Sequence, residues 1–184
     1  MENQENSQDE LYRQAAATYG PALVRLARAW EADADGRQDL LQELHLALWR
    51  SMAGFDNRCS LRTWVYRVAQ NAATSHVLRR RRGNARALVS IDELAESGDG
   101  LRLSEGPEAH HGVEQAQILD RLYRLIQSLN PMDRQVILLY LEGVDAASIG
   151  EVTGISASYV STKIHRIKTV LSDRFRNGGN DDKR

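Results

Sequence analysis

Residues 145–167 read DAASIGEVTGISASYVSTKIHRI, and this stretch decides the fold of the carboxyl-terminal part of the chain. Asp145 and Ser156 are good helix N-caps, and Gly154 between them suits a tight turn. The spacing predicts a short helix to Thr153 and a longer one to about Phe175, which together form a helix-turn-helix. The apolar residues that would lock the two helices together are Ile149, Val152, Ile155, Val160 and Ile164.

The free side of the second helix carries small hydroxyl groups and a basic end. No Asp or Glu occurs from Val152 to Ser172. Such a surface suits a helix in a major groove, and Ser156 at the helix start suits a phosphate. An ordinary helical hairpin inside a bundle is the alternative, which the absence of acids disfavours. The residues expected on the free side are Ser158, Ser161, Thr162, His165 and Arg166.

A second polar face belongs to the helix that begins at Ser60 and runs toward the arginines at 79–82. Amides, hydroxyls and arginines can contact base edges and phosphates. Trp64 and Tyr66 could stack on an unpaired base, although Trp64 also lies on the apolar side of the helix. In the preceding loop, Phe55, Asn57 and Arg58 could hold an extruded base. The residues that share the polar face are Thr63, Arg67, Gln70, Asn71 and Thr74.

An acidic face without cations lies on the helix predicted from about Arg37 to Met52. Asp39, Gln42 and Glu43 share this face with Leu46 at i, i+3, i+4 and i+7. A solvated acidic face and a surface for a partner protein remain equally good interpretations, since the apolar Leu46 is the one feature that favours a partner.

The formal net charge of −1 hides an uneven distribution of charge. Residues 57–91 contain eight arginines and no acid, whereas residues 92–114 contain seven acids and a single arginine. The acids disappear again over residues 152–172. Two basic segments separated by an acidic one indicate two polyanion-binding surfaces, but two solvated helix faces fit the charges equally well, so the motifs must decide.

The pattern predicts an all-α fold of two small helical domains joined by a flexible linker. Periodic apolar residues define a first domain over residues 8–88, with a break in its first helix expected at Gly20-Pro21. Glycine-rich acidic sequence over 89–113 is typical of a linker, and residues 114–176 form the second domain. Residues 177–184 are expected to be a disordered tail.

Several classes of protein are disfavoured by composition. One cysteine, Cys59, cannot form an internal disulfide or a cysteine-rich zinc site, which fits a reducing cytoplasm. The acidic, polar start is not typical of a signal peptide, and the apolar runs are too short for membrane insertion. His165 lacks a partner ligand at helical spacing, and no carboxylates lie among the DNA-facing residues. We therefore expect no metal, no cofactor and no catalytic residue.

Taken together, these motifs resemble the sigma-70 family of RNA polymerase sigma factors, and specifically the extracytoplasmic-function class. The segment DLLQE at 39–43 resembles the family's acidic polymerase-binding motif. Phe55 and the segment SLRTWVYRVA at 60–69 resemble its promoter-melting and −10 segment. The segments SLNPMDRQV at 128–136 and 155–166 resemble its −35-binding domain. Ser161 stands where the family often has a basic residue, and residues 145–147 depart from its usual serine–aromatic–acid start.

The resemblance implies roles for these residues. Asp39, Gln42 and Glu43 would contact the β′ clamp of core RNA polymerase, and the β flap of the polymerase is a further implied contact. The residues implied at the −10 element are Phe55, Asn57, Arg58, Thr63, Arg67, Asn71, Arg79 and Arg80. The residues implied at the −35 element are Ser156, Ser158, Tyr159, Ser161, Thr162, Lys163, His165 and Arg166.

The further partners implied are promoter DNA and an anti-sigma factor, which could hold the otherwise cytoplasmic protein at the membrane. The alternative is a sigma mimic that only sequesters an anti-sigma factor. A mimic has no need of a basic −10 surface or a polar recognition helix, and this chain has both.

Overall fold

The computed structural model describes residues 2–81 and 112–177, and the regular elements in these two ranges are seven α-helices. The predicted all-α fold is thereby confirmed. The predicted linker and tail lie outside the described residues, apart from 112–113 and residue 177. The helices are α1 (Glu2–Trp30), α2 (Ala34–Met52), α3 (Leu61–Arg81), α4 (Gly112–Ser128), α5 (Pro131–Leu141), α6 (Ala146–Thr153) and α7 (Ala157–Asn177).

The amino-terminal helices α1, α2 and α3 pack together around one apolar core. Each contributes a stripe of side chains at helical spacing, as expected of amphipathic helices that bury one face. Asp33 caps α2 by accepting a hydrogen bond from the Gly36 N–H at 2.8 Å, so this helix begins three residues before the predicted start at Arg37. The fully buried members of the core include Leu23, Leu40, Leu44, Leu48 and Val65.

The predicted break at Gly20-Pro21 is wrong, because α1 continues through Pro21. A proline inside a helix removes one backbone hydrogen bond and costs about 3 kcal/mol. Ala15 and Leu23 on either side of it are both fully buried on the stripe that packs against the other helices. Burial of this stripe from Ala15 to Trp30 outweighs the local cost.

The second group of helices, α4 to α7, begins with the predicted proline-initiated helix. Asn130 is the N-cap of α5, and its side-chain oxygen accepts a hydrogen bond from the Asp133 N–H at 2.9 Å. Pro131 takes the first helical position, where its missing N–H leaves no bond unmade. Buried Leu139 and Ile149 are part of the core of this group.

Helices α6 and α7 form the predicted helix-turn-helix. Asp145 caps α6 by accepting hydrogen bonds from the N–H of Ser148 at 2.9 Å and from its hydroxyl at 2.7 Å. These two bonds hold the pKa of Asp145 below its ordinary value of 3.8. Gly154 ends the helix with a φ of 79°, a conformation that favours glycine. A Cβ on Gly150 would lie 2.6 Å from the Ile155 carbonyl oxygen, so the turn passes too close for any side chain there.

A buried ion pair fixes α7 on α5. The Lys163 ammonium donates to the carboxylate of Asp133, which is fully buried. The Asn130 amide also donates to this carboxylate, at 2.7 Å. The charge of Asp133 therefore meets the Lys163 cation and the Asn130 amide, as a buried carboxylate requires.

The two groups of helices contact each other through α1 and α3. Arg25 donates to both carboxylate oxygens of Glu142, at 2.6 and 2.7 Å, and these bonds raise the pKa of Arg25 above its ordinary value. Arg28 donates to Asp120 at 2.5 Å. Apolar side chains from both groups line a cavity of about 190 Å³ beside these ion pairs. We call this contact region the seam.

We expect Lys163→Met to lower the free energy of unfolding by about 3–5 kcal/mol, because it removes one partner of a buried ion pair. Urea denaturation followed by circular dichroism measures this change. Lys168→Met on the exposed side of the same helix is the control and should stay within about 0.5 kcal/mol of the parent. Equal effects of the two substitutions would contradict the role given to the buried pair.

Candidate nucleic-acid and partner interfaces

The loop between α2 and α3 presents the first candidate DNA-binding residues. Phe55 packs against Trp64 with ring centroids 5.4 Å apart, so both rings support the loop. Asn57 has a φ of 61°, the left-handed conformation that asparagine tolerates better than most residues. Arg58 is exposed and pairs with Asp56 at 2.9 Å. The loop thus holds an amide and a guanidinium beside an aromatic pair.

The polar face of α3 divides into an exposed part and a buried part. Asn71 is exposed, whereas Thr63 and Gln70 are buried. Thr63 lies at the helix start, where its N–H donates to the Ser60 hydroxyl at 3.0 Å. Tyr66 is buried edge-on against Tyr19, so its ring is not available for stacking on a base in this arrangement.

Two other residues of this face contact the second group of helices. Arg67 donates to the Glu151 backbone carbonyl at 3.2 Å. Thr74 accepts a hydrogen bond from the Gln135 amide at 2.7 Å. The candidate DNA-binding face of α3 therefore forms part of the seam.

The arginines at the end of α3 are paired with two glutamates. Arg79 donates to Glu43 of α2, and Arg80 donates at 2.7 Å to Glu31, which directly follows α1. Both arginines remain more than half exposed. Ion pairs at such exposed positions contribute little to stability.

The recognition helix α7 presents most of the expected residues to solvent. Ser156 caps the helix by accepting a bond from the Tyr159 N–H at 3.3 Å, and Tyr159 itself is half exposed. Lys163 differs, because its ammonium points inward to Asp133. The exposed members of the expected set are Ser156, Ser158, Tyr159, Ser161, Thr162, His165 and Arg166.

The acidic face of α2 forms one side of a groove. Asp39, Gln42 and Leu46 are exposed there, and the Glu43 side chain is 41% exposed. His76 and Arg80 of α3 line the other side of a space of about 590 Å³. Sequence reasoning placed the acidic face but missed His76 and Glu31. The sequence did contain a signal for His76. It lies at i, i+3 and i+4 spacing with Arg79 and Arg80, which places the three residues on one side of the helix.

Metal ligation and membrane insertion find no site in the part of the chain that the structure describes. In residues 2–81 and 112–177, no group of three or more His, Cys, Asp or Glu side chains is arranged to hold a metal ion. None of the helices in these ranges is both long enough and apolar enough to cross a membrane.

Comparison with known families identifies both groups of helices. Residues 15–83 match sigma-70 region 2, and residues 119–171 match sigma-70 region 4. The two matches cover about two thirds of the chain. The chain belongs to the sigma-70 family. The recognition helix α7 therefore lies in region 4, and helices α1 to α3 form region 2.

Relatives place the chain in the extracytoplasmic-function class of this family. RNA polymerase sigma factor CnrH of Cupriavidus metallidurans is 26% identical over 166 residues, which are 88% of this chain and 84% of CnrH. The extracytoplasmic-function (ECF) sigma factor SigW of Bacillus subtilis is 23% identical over 76% of this chain and 75% of SigW. The ECF sigma-E factor of Escherichia coli K12 is 26% identical over 74% of this chain and 72% of that protein.

Two solved structures share the fold. CnrH in complex with the cytosolic domain of CnrY superposes with a TM-score of 0.62 at 20% identity, covering 93% of this chain and 91% of CnrH. The sigma factor RpoE of Bartonella quintana, in complex with the anti-sigma factor NepR, superposes with a TM-score of 0.65 at 18% identity. That superposition covers 90% of this chain and 96% of RpoE.

Proposed function

We propose that this protein directs promoter-specific transcription initiation by binding core RNA polymerase, recognising −35 and −10 elements and opening the DNA. The observation that carries the proposal is the separation of an acidic groove on α2 from polar, acid-free faces on α3 and α7. These surfaces lie on the regions that define sigma-70 proteins. The first domain, residues 8–88, would bind the clamp and the −10 strand, and the second, residues 114–176, the −35 element.

The exposed residues carry the proposed DNA contacts. In the first domain these are Asn57, Arg58 and Asn71, supported by Phe55 and joined by Arg67, Arg79 and Arg80 once they leave their present partners. We assign Thr63 to the helix cap and Lys163 to the buried pair, because Thr63 is buried and the Lys163 ammonium points inward to Asp133. In the second domain, Arg166 and His165 lie exposed on α7 among hydroxyl groups that suit base edges and phosphates.

The seam is the reason to expect weak promoter binding by the free protein. Arg67 and Thr74 are engaged with the second domain, and the two ion pairs of Arg25 and Arg28 hold the domains together. Each domain alone also offers few phosphate contacts. We propose that core polymerase separates the domains and fixes them at the spacing of the two promoter elements.

A further proposed partner is an anti-sigma factor. Two proteins of the same fold, CnrH and RpoE of Bartonella quintana, form complexes with CnrY and with the anti-sigma factor NepR. By analogy, such a partner would restrain this chain in the cytoplasm or at the membrane. A mimic that only sequesters an anti-sigma factor is less well supported, because exposed Asn71 and Arg166 would then have no DNA to contact.

Replacing Asp39, Gln42 and Glu43 together with alanine should weaken binding to core polymerase at least about tenfold, as expected when several residues at the centre of an interface are truncated. Fluorescence titration of labelled protein with core enzyme measures the affinity. The control replaces Glu10, Gln14 and Asp173, which are exposed elsewhere and remove the same charge. Equal affinity of the two variants would show that the acidic face is not the polymerase-binding surface.

Arg166→Ala and Asn71→Ala should impair different steps of initiation. Arg166→Ala should weaken promoter occupancy by about 1–3 kcal/mol, because an arginine that reads a base contributes about that much. A premelted template should not rescue it. Asn71→Ala should leave occupancy of the upstream element intact but impair strand opening, because Asn71 lies on the face proposed for the unpaired strand.

Footprinting measures occupancy, and permanganate reactivity measures strand opening on the same promoter. Arg176→Ala, which removes an exposed arginine at the far end of α7, controls for the loss of charge. Intact melting with Asn71→Ala, together with lost melting at full occupancy with Arg166→Ala, would show that the two roles are reversed.

Opening the seam should expose the −10 face of the free protein. The double variant Asp120→Ala, Glu142→Ala removes both ion pairs, each worth about 0.2–1 kcal/mol at an exposed site. Binding of single-stranded −10 DNA should therefore strengthen roughly two- to thirtyfold, as measured by anisotropy. The variant Glu10→Ala, Asp173→Ala removes equal charge away from the seam. Equal strengthening in both would indicate a general charge effect and no masking.

A further inference from the structure

The groove beside the acidic face contains a histidine that the proposed function does not use. His76 of α3 is buried, and its ring lies between two carboxylates. Its Nδ1 atom is 3.2 Å from Glu43 Oε1, and its Nε2 atom is 3.7 Å from Glu31 Oε2. One ring of α3 therefore lies between α2 and the turn that joins α1 to α2, at the edge of the proposed polymerase-binding surface.

Both carboxylates are held a second time by arginines of the same helix. Arg79 donates to Glu43 Oε2, and Arg80 donates to Glu31 Oε2. Glu43 thus has one oxygen beside the histidine ring and the other on a guanidinium. A free glutamate samples many rotamers, whereas this one is restricted before any partner arrives.

The environment of the ring is not that of an ordinary core histidine. Nε2 is buried and finds no hydrogen-bond partner among the described residues, although buried polar atoms are nearly always satisfied. The ring also lies closer to Glu43 than to Glu31. One of its two polar atoms is thus left unsatisfied beside the more distant carboxylate. The position of the ring therefore suits contact with Glu43 better than it suits hydrogen bonding by both ring nitrogens.

The orientation of Glu43 matters because this carboxylate lines the groove together with Asp39 and Gln42. A carboxylate offers about four acceptor positions, so one contact on each oxygen leaves positions for an incoming donor. Arginine and lysine side chains are the donors that such an acidic groove fits best.

We propose that His76 is a positioning residue for polymerase binding, and that it holds the Glu43 carboxylate in the orientation that a basic side chain of the polymerase meets. The surface for the polymerase is then built from two helices, with α2 supplying the contacting groups and α3 supplying the support. This inference rests on the proposed role of the acidic face.

The test compares substitutions at His76 in titrations with core polymerase, without DNA. His76→Ala should weaken binding about three- to tenfold, the range expected for loss of one polar contact. His76→Asn should recover most of the affinity, because its amide nitrogen lies near the position of Nδ1. His76→Gln extends toward the position of Nε2 and should recover less. Since Asn and Gln both refill the site, their comparison stands even if the alanine variant folds poorly.

A double-mutant cycle separates positioning from general stability. In a Glu43→Ala background, His76→Ala should cause no further loss of affinity, because the carboxylate it positions is gone. Equal losses in both backgrounds, or equal affinities of the Asn and Gln variants, would overturn the proposal. Normal affinity of His76→Ala beside weak binding of the Asp39, Gln42 and Glu43 variant would overturn it as well. Normal affinity of that triple variant would instead overturn the proposed surface.

Discussion

The ion pair between Arg25 and Glu142 is part of the contact that places some polar side chains of this protein in the seam and leaves others exposed. It joins α1 to the end of α5 through two parallel hydrogen bonds, a geometry that fixes orientation as well as distance. The Glu142 backbone carbonyl also accepts a bond from Arg62 at 2.6 Å, so α3 is tied to the same point. With the domains held there, Arg67 and Thr74 lie in the seam while Asn71 stays exposed.

Local signals in the sequence predicted much of the fold because their physics is local. The caps at Asn130 and Asp145 and the turn at Gly154 each depend on a few neighbouring residues, and all three are present. The failure at Pro21 has the opposite cause. At Pro21 the local cost of proline is smaller than the gain from burying a long apolar stripe of α1 against other helices. The sequence of α1 alone does not show how much apolar surface those helices provide.

In the candidate sites, too, the sequence predicted features that depend on helical spacing and missed those that depend on tertiary contacts. Helical spacing correctly grouped Asp39, Gln42 and Glu43 on one side of α2, and Asn71 on the polar side of α3. Spacing could not show that Gln70 accepts a bond from the Trp30 indole or that Lys163 pairs with Asp133, since each partner lies 30 or more residues away. His76 was missed for the same reason, because its two glutamates are far away in the sequence, one in α2 and one in the turn after α1.

These contacts also show how the positive and negative charges behind the near-neutral net charge are paired in the fold. Arg79 and Arg80 are balanced by Glu43 and Glu31, and Arg25 is balanced by Glu142, so basic segments that stand apart in sequence are partly neutralised in the fold. An arginine released from such a pair to meet a phosphate leaves a carboxylate behind. For Glu43, that carboxylate lies on the surface proposed to meet basic groups of the polymerase. With the proposed roles, binding of DNA by the arginines and binding of polymerase by the acids would favour each other, because each would relieve the charge that the other uncovers.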